Sequence, residues 1–216
     1  MDTLEVKKLT PDERRNHILD IAYEAFIRDG YAGTSMSRIA ARLGGSKTTL
    51  YNYFSTKKEL FVAVADREST RLFDHIFTVG EGAGDFRATV VEMTRRLLTA
   101  MLEDDIIASH RLIVAESGRF PEVGHAAFEM ALQRGVMRLT GRFRRAIASG
   151  EMLANPQLAA EQLLDLICGN LHRQRLWNVI SEVGAATIAA EAERIANTFL
   201  AAFGNDALSR AARSGI

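Results

Sequence analysis

Apolar residues recur at three- and four-residue spacing from early in the chain, and caps and glycines interrupt the repeats. Thr10-Pro11-Asp12-Glu13 supplies a capping hydroxyl, a proline at the first helical position and two acids in the first turn. Ile18, Ile21, Ala22, Ala25 and Phe26 follow at helical spacing, and Asp29-Gly30 ends the run. Thr34-Ser35 caps a second, short helix with Met36, Ile39, Ala40 and Leu43 on one face, closed by Gly44-Gly45. Ser46 caps a third, from Lys47 to about Tyr53, with Leu50 and Phe54 facing inward. Ser55-Thr56 opens a fourth, whose apolar positions are Leu60, Phe61, Val64 and Leu72. Two short helices around a glycine-containing turn make a helix-turn-helix unit.

Gly80-Glu81-Gly82-Ala83-Gly84 reads as a linker, without the preceding strand or following lysine of a phosphate-cradling loop. Beyond it helices are expected near 85–102, 105–118, 121–149, 157–180 and 185–203, punctuated by Asp104-Asp105, Phe120-Pro121, Gly150, Asn155-Pro156 and Gly184. Period-two alternation is absent. The expected fold is all-α with about nine helices. It divides into a helix-turn-helix domain over 1–56, a connecting helix over 57–79 and a larger helical bundle over 80–216.

Composition narrows the class. Apolar residues make up 47% and charged residues 25% of the 216 positions, which is ordinary for a globular chain. No apolar run approaches the ~18–20 residues of a membrane helix, and the N-terminus lacks the apolar core of a secretory signal. The single cysteine, Cys168, can form neither an internal disulfide nor a zinc cluster and fits a reducing cytoplasm. His110, Arg111 and His125 lack partners at metal-ligand spacing, so no metal is expected. A serine elbow, a Cys–His pairing and a dinucleotide fingerprint are all missing, so neither catalytic residues nor a cofactor are expected.

Net charge is zero overall but uneven. Residues 1–60 carry ten Lys and Arg against eight Asp and Glu, and every lysine lies at or before Lys58. No acid separates Asp29 from Glu59, while Arg38, Arg42, Lys47, Lys57 and Lys58 fall between them. A local basic patch on a neutral chain is the footprint of a face that meets phosphates.

The third helix has the residues a major groove rewards. With Ile39, Leu43, Leu50 and Phe54 filling the core, Lys47, Thr48, Thr49, Tyr51, Asn52 and Tyr53 are left at its surface or edge. Asn can bond adenine bidentately, Lys can reach guanine, and Thr methyls can meet thymine methyls. Tyrosine hydroxyls, Thr34, Ser35, Lys57 and helix N-terminal amides such as those after Ser46 can hold phosphates.

The stretch Gly30-Tyr31-x-x-Thr34-Ser35-Met36-x-x-Ile39-Ala40-x-x-Leu43-Gly44-Gly45-Ser46-Lys47-Thr48-Thr49-Leu50-Tyr51-Asn52-Tyr53-Phe54-x-x-Lys57-x-x-Leu60-Phe61 resembles the DNA-binding domain of the TetR/AcrR family of bacterial transcription regulators. Two departures are Gly45, where the family usually has valine, and Thr48, where glycine is frequent. The resemblance implies that Thr34 and Ser35 touch phosphate. It implies that Lys47, Thr48, Thr49 and Asn52 face bases, that Tyr51 and Tyr53 straddle bases and backbone, and that Lys57 grips a phosphate. It further implies a homodimer built by the last two long helices, a small-molecule effector, and repression as the mode of action. The segment from Arg111 to Glu122 is similar to one AcrR-like branch of regulatory domains.

In the larger bundle, Met93, Leu97, Met101, His110, Val114, Phe128, Met137 and Trp177 are candidates to line an adaptable apolar pocket. His110, Arg111, Glu116 and His125 are candidate polar groups to orient a ligand. Leu164, Ile167 and Leu171, with Ile188, Ala192, Ile195 and Phe199, form a seam suited to a four-helix dimer contact or to packing inside one chain. One reading helix makes too few contacts for a specific site, so a dimer spanning two half-sites of double-stranded operator DNA is required if this domain reads sequence. The rival reading is a helical ligand-binding or enzymatic bundle whose first sixty residues are a cap that does not bind DNA.

Overall fold

The computed structural model describes residues 10–44, 47–77 and 86–205. Ser46, Gly45 and the glycine-rich linker at 80–84 fall outside these residues. The described elements are α1 (Pro11–Gly33), α2 (Met36–Arg42), α3 (Lys47–Tyr53), α4 (Lys57–Phe77), α5 (Phe86–Met101), α6 (Asp104–Glu116), α7 (Pro121–Ala126), a π-helical turn (Ala127–Leu132), α8 (Gln133–Ala148), α9 (Pro156–Ile167), α10 (Asn170–Leu176) and α11 (Ala185–Phe203). Among these residues the one β feature is an isolated bridge between Met152 and Gly204.

The helix starts follow the expected chemistry. The Thr10 hydroxyl accepts from the Glu13 amide while the Glu13 carboxylate accepts from the Thr10 amide, a reciprocal capping box. Ser35 accepts from the Arg38 amide, and the Asn155 carboxamide accepts from the amides of Gln157 and Leu158. Two long helices read from the pattern are subdivided. The one expected over 121–149 widens into the π turn at Ala127–Leu132. The one expected over 157–180 breaks at Cys168-Gly169 and ends at Leu176, with Asn178 at φ 59 just beyond.

The chain forms two compact units, one over 1–67 and 112–127, the other over 68–111 and 128–216. This differs from boundaries at 56 and 79. The end of α6 and all of α7 belong to the first unit because Val123 and Ala126 are buried with Ile18, Phe26, Ile39, Leu50, Phe54 and Leu60 in its core. Phe61 stands edge-on to Phe26 and Tyr31 at 5.1 and 5.2 Å, and Phe120 meets Tyr31 at 5.1 Å. In the second unit Leu97, Leu98, Leu139, Phe143, Leu163, Ile195 and Phe199 form the centre, with Phe143 stacked on Phe199 at 5.2 Å. Gly135 lets α8 approach α4 closely, since a Cβ there would lie 2.6 Å from the Phe73 ring.

The α1 run turns at Gly30, which has φ 74 and ψ 168, a conformation open to glycine alone. A Cβ at that position would also lie 2.8 Å from a Glu116 carboxylate oxygen. Gly30→Ala is expected to lower the unfolding free energy by about 1–3 kcal/mol, read by chemical denaturation. A change within a few tenths of a kcal/mol would show that this turn carries no strain.

Candidate nucleic-acid interface

Leu50 is fully buried and Phe54 nearly so, which anchors the inner face of α3. The opposite face is open: Lys47, Thr48, Tyr51 and Asn52 are exposed, while Thr49 and Tyr53 are half-buried at its edge. A seven-residue helix presents few side chains, and here six of seven are polar or phenolic. The outer face therefore offers donors, acceptors and methyls, the groups that base edges can discriminate. Ser35, at the start of α2, is also exposed.

Two residues expected at the phosphates are placed elsewhere. Thr34 is buried, and its hydroxyl donates to the carbonyls of Ala25 and Gly30 at 3.1 and 2.8 Å. It closes the α1–α2 turn from inside and has no surface to offer a phosphate. Lys57 is half-buried, and its ammonium donates to the carbonyls of Tyr31 and Thr34 at 2.7 and 3.1 Å. Nζ also lies 4.2 Å from the Tyr31 ring centroid and 5.7 Å from that of Phe120. Burial pushes its pKa down, opposed by the charges of Glu116 and Glu122. Two of its three N–H groups are thus engaged within the protein.

The same junction is stitched by carboxylates from the 112–127 segment. The Tyr31 hydroxyl donates to Glu122 at 3.0 Å, and the Ala32 amide donates to Glu116 at 3.2 Å. Burial, together with the bond to Glu122, raises the Tyr31 pKa. Glu122 is held below the ordinary carboxylate value by its own backbone amide, with smaller help from Tyr31 and the lysines. These partners were invisible in sequence because they lie more than eighty positions from the residues they hold.

The basic patch is thinner than the residue list implied. Arg42 pairs with Glu24 at 2.5 Å, and Arg38 donates to the Gly33 carbonyl at 3.1 Å. Lys47 and Lys58 are exposed.

In the second unit the eight pocket candidates separate. Met93 and Leu97 are core residues, and Met101 and His110 are half-buried. Phe128, Met137 and Trp177 are 54%, 66% and 68% exposed, and in the first unit Val114 is 70% exposed. These four are largely exposed and belong to neither buried core. A cleft of about 360 Å³ in the second unit is lined by Thr99, Leu102, Glu103, Asp104, Arg175 and neighbours, none of them among the eight. Arg175 is buried there and bonds Asp104, the Ser181 carbonyl and the Leu102 carbonyl.

His110 touches His172, ring nitrogen to ring nitrogen, at 2.7 Å. Burial, reinforced by the second ring, pushes His110 down to about 4, and burial lowers His172 as well. Sequence reasoning missed His172, which lies 62 positions from its partner. Among the ligand-orienting candidates, Arg111 donates to the carbonyls of Leu176 and Arg175, Glu116 holds Ala32, and His125 is exposed.

The proposed seam is internal. Leu164, Ile167, Leu171, Ala192, Ile195 and Phe199 are buried within the chain, and Ile188 packs against that core. Helix α11 lies on α5 and α9, which take up the stripe in question. An apolar stripe has the same spacing whether its partner belongs to the same chain or another.

Among the described residues no helix is long and apolar enough to cross a membrane, and no group of three His, Cys, Asp or Glu could hold a metal ion.

An exposed, polar, seven-residue helix on a buried Leu–Phe foot, following a short helix across a glycine turn, defines a helix-turn-helix DNA-binding protein. Residues 18–64 match the model of bacterial regulatory proteins of the tetR family. Residues 88–205 match the C-terminal domain of AefR-like transcriptional repressors, more than half of the chain. The chain belongs to the TetR family of transcriptional regulators. It is 32% identical over 133 residues to the DNA-binding transcriptional repressor TetR of Mycobacteroides abscessus, covering 59% of this chain and 70% of that one. A TetR-family regulator from Mesorhizobium loti superposes with a TM-score of 0.81 at 26% identity, covering 92% of this chain and all of that one. The flavonoid-responsive regulator FrrA superposes with a TM-score of 0.77 at 27% identity, covering 89% and 98%. Alignments to three of the curated relatives span 40%, 70% and 51% of those proteins' lengths.

Lys47→Ala and Lys57→Ala should part company in a salt titration. Lys47→Ala is expected to make the slope of log affinity on log salt shallower by ~0.9, the loss of one neutralised phosphate. Lys57→Ala is expected to leave that slope unchanged while lowering the melting temperature, because the side chain holds the Tyr31–Thr34 turn. A shallower slope for Lys57→Ala would return it to the phosphates.

The histidine pair also sets a pH dependence. Above the ordinary histidine value of 6.5 both rings are neutral, folded or unfolded, and contribute no slope. Below it the unfolded chain binds protons that the folded one refuses, so stability falls as pH drops from 6.5 toward about 4. Thermal melts of the wild type and His110→Gln across that window are expected to converge at the acid end.

Proposed function

We propose that this protein is a homodimeric repressor in the cytoplasm, released from its operator by a small apolar or amphipathic molecule. The observation that carries the DNA-binding part is the open face of α3, with Lys47, Thr48, Tyr51 and Asn52 projecting and Thr49 and Tyr53 at the edge. Ser35 and Ser46 are assigned to the flanking phosphates. A dimer follows from the same face, because a recognition helix this short needs a second copy one groove away, about 34 Å along the duplex.

The dimer surface is assigned to the outward sides of α9, α10 and α11. Leu158 and Trp177 are exposed apolar side chains of the α9–α10 region. Ala186, Ala189, Ala190 and Ala201 share an exposed side of α11 with Glu193 and Asn197, both bonded by Arg87 of α5. The effector is assigned to the second unit, and the match of that region to a regulatory-domain family supports this. So does the similarity to a regulator described as flavonoid-responsive. Ligand and DNA compete by population shift, which requires the effector to bind one conformation better than the other.

The test is a fluorescence-anisotropy titration of the full chain against the duplex immediately upstream of its own gene, with a scrambled duplex as control. Sequence-specific binding is expected, weakened at least tenfold by Tyr51→Ala. Leu158→Glu with Trp177→Glu is expected to sediment as a monomer and lose the specific complex. Equal affinity for both duplexes would favour a helical ligand-binding bundle with an N-terminal cap. Raised transcription of a reporter in cells carrying the protein would make it an activator.

A further inference from the structure

Arg15 belongs to α1, yet its guanidinium carbon lies 5.5 Å from the centroid of the Phe54 ring at the end of α3. The Phe54 amide donates to the Leu50 carbonyl at 3.0 Å, so the last turn of α3 carries through Phe54. Lys47, Tyr51 and Phe54 are spaced four and three residues apart, which puts them on one side of that helix. Phe54 is turned into the core, and Arg15 lies over its ring. A cation supplied by α1 therefore continues the row that Lys47 and Tyr51 begin.

The charge of Arg15 is not spent inside the protein. Its side chain is exposed, and among the described residues no acid or carbonyl bonds it. Of the acids nearest in the chain, Glu13 is held by the Thr10 cap and Asp12 makes no ion pair. Other cations of the same unit are engaged: Arg28 with Asp29, Arg42 with Glu24, Arg67 with Asp20, and the Lys57 ammonium with two carbonyls. A guanidinium lying over a ring gives up a face to it and keeps its in-plane N–H donors. Phe54 thus fixes where the fork stands while leaving it able to take a phosphate by two parallel hydrogen bonds.

We propose that Arg15 binds a backbone phosphate of the duplex, a grip that the inward-turned Lys57 does not supply. This rests on α3 being the helix that enters the major groove, and adds to that face a contact from a different helix. Lys47 and Phe54 are seven residues apart, about 10 Å along the axis at ~1.5 Å per residue. Lys47 and Arg15 accordingly stand at opposite ends of α3 and hold different phosphates. A phosphate contact carries no base information, so Arg15 strengthens binding to every sequence alike and sets the register of α3 against the strand.

The probes are the duplex upstream of the chain's own gene and a scrambled duplex of the same length, titrated with full-length protein at several salt concentrations. Arg15→Met keeps an unbranched stem to cover Phe54 and removes the charge. It is expected to make the slope of log affinity on log salt shallower by ~0.9 on both duplexes, with the ratio of the two affinities unchanged. Arg15→Lys should retain the wild-type slope. Arg15→Met combined with Lys47→Ala should lose about 1.8, two separate phosphates. Arg95→Met takes a charge from α5 and is expected to leave the slope alone. The wild type needs no variant: phenylglyoxal labelling of Arg15, read by peptide mapping, should fall at least fivefold at saturating duplex. An unchanged slope in Arg15→Met, an equal loss in Arg95→Met, or full labelling of Arg15 in the complex would each overturn the proposal. A wild type that binds neither duplex would overturn the DNA-binding reading as well, whereas a failure at Arg15 alone leaves that reading standing.

Discussion

The recognition helix cannot hold itself. Seven residues fall well short of the ~12–15 that an isolated helix needs for marginal stability in water, and nucleation is the costly step. Helix α3 exists because Leu50 and Phe54 are driven into a core already formed by α1, α2 and α4. Burying two such side chains contributes roughly 1.5–3 kcal/mol each, enough to offset the ordering of so short a segment. Its exposed residues, Lys47, Thr48, Tyr51 and Asn52, lie outside that core. A polar face can be offered to a duplex only because that inner apolar foot holds the helix.

The junction beneath it is built from parts distant in the chain. Tyr31 is the hub: its ring meets Phe26, Phe61, Phe120 and the Lys57 ammonium, and its hydroxyl is held by Glu122. Glu116 accepts the Ala32 amide beside Gly30. The α1–α2 turn is consequently fixed by the segment 112–127, which counts structurally as part of the DNA-binding unit. A change in that segment has a direct route to the turn that sets α2.

Local signals were legible in sequence, and long-range ones were not. Thr10, Ser35 and Asn155 announce helix starts because a cap acts on amides two or three residues away. The buried faces of α1 to α4 follow from spacing, and so does the exposed set on α3. Thr34 and Lys57 look like phosphate ligands by type and position, yet their bonds are to carbonyls that only folding brings close. The stripe through Ile195 and Phe199 has the spacing of a packing surface, but spacing cannot say which chain supplies the other side. Val114, Phe128, Met137 and Trp177 show the converse: apolar type does not guarantee burial. His172 gave no sign of its role until the fold set it against His110.

Cys168 has a practical consequence. A half-buried thiol that stays protonated at neutral pH is a poor nucleophile, so it should resist alkylation and air oxidation under ordinary handling. A second cysteine engineered at the exposed Asn52 position would then be the one reactive handle for maleimide dyes. Distances between two such labels in an assembled pair could report the separation of the recognition helices without removing the native thiol.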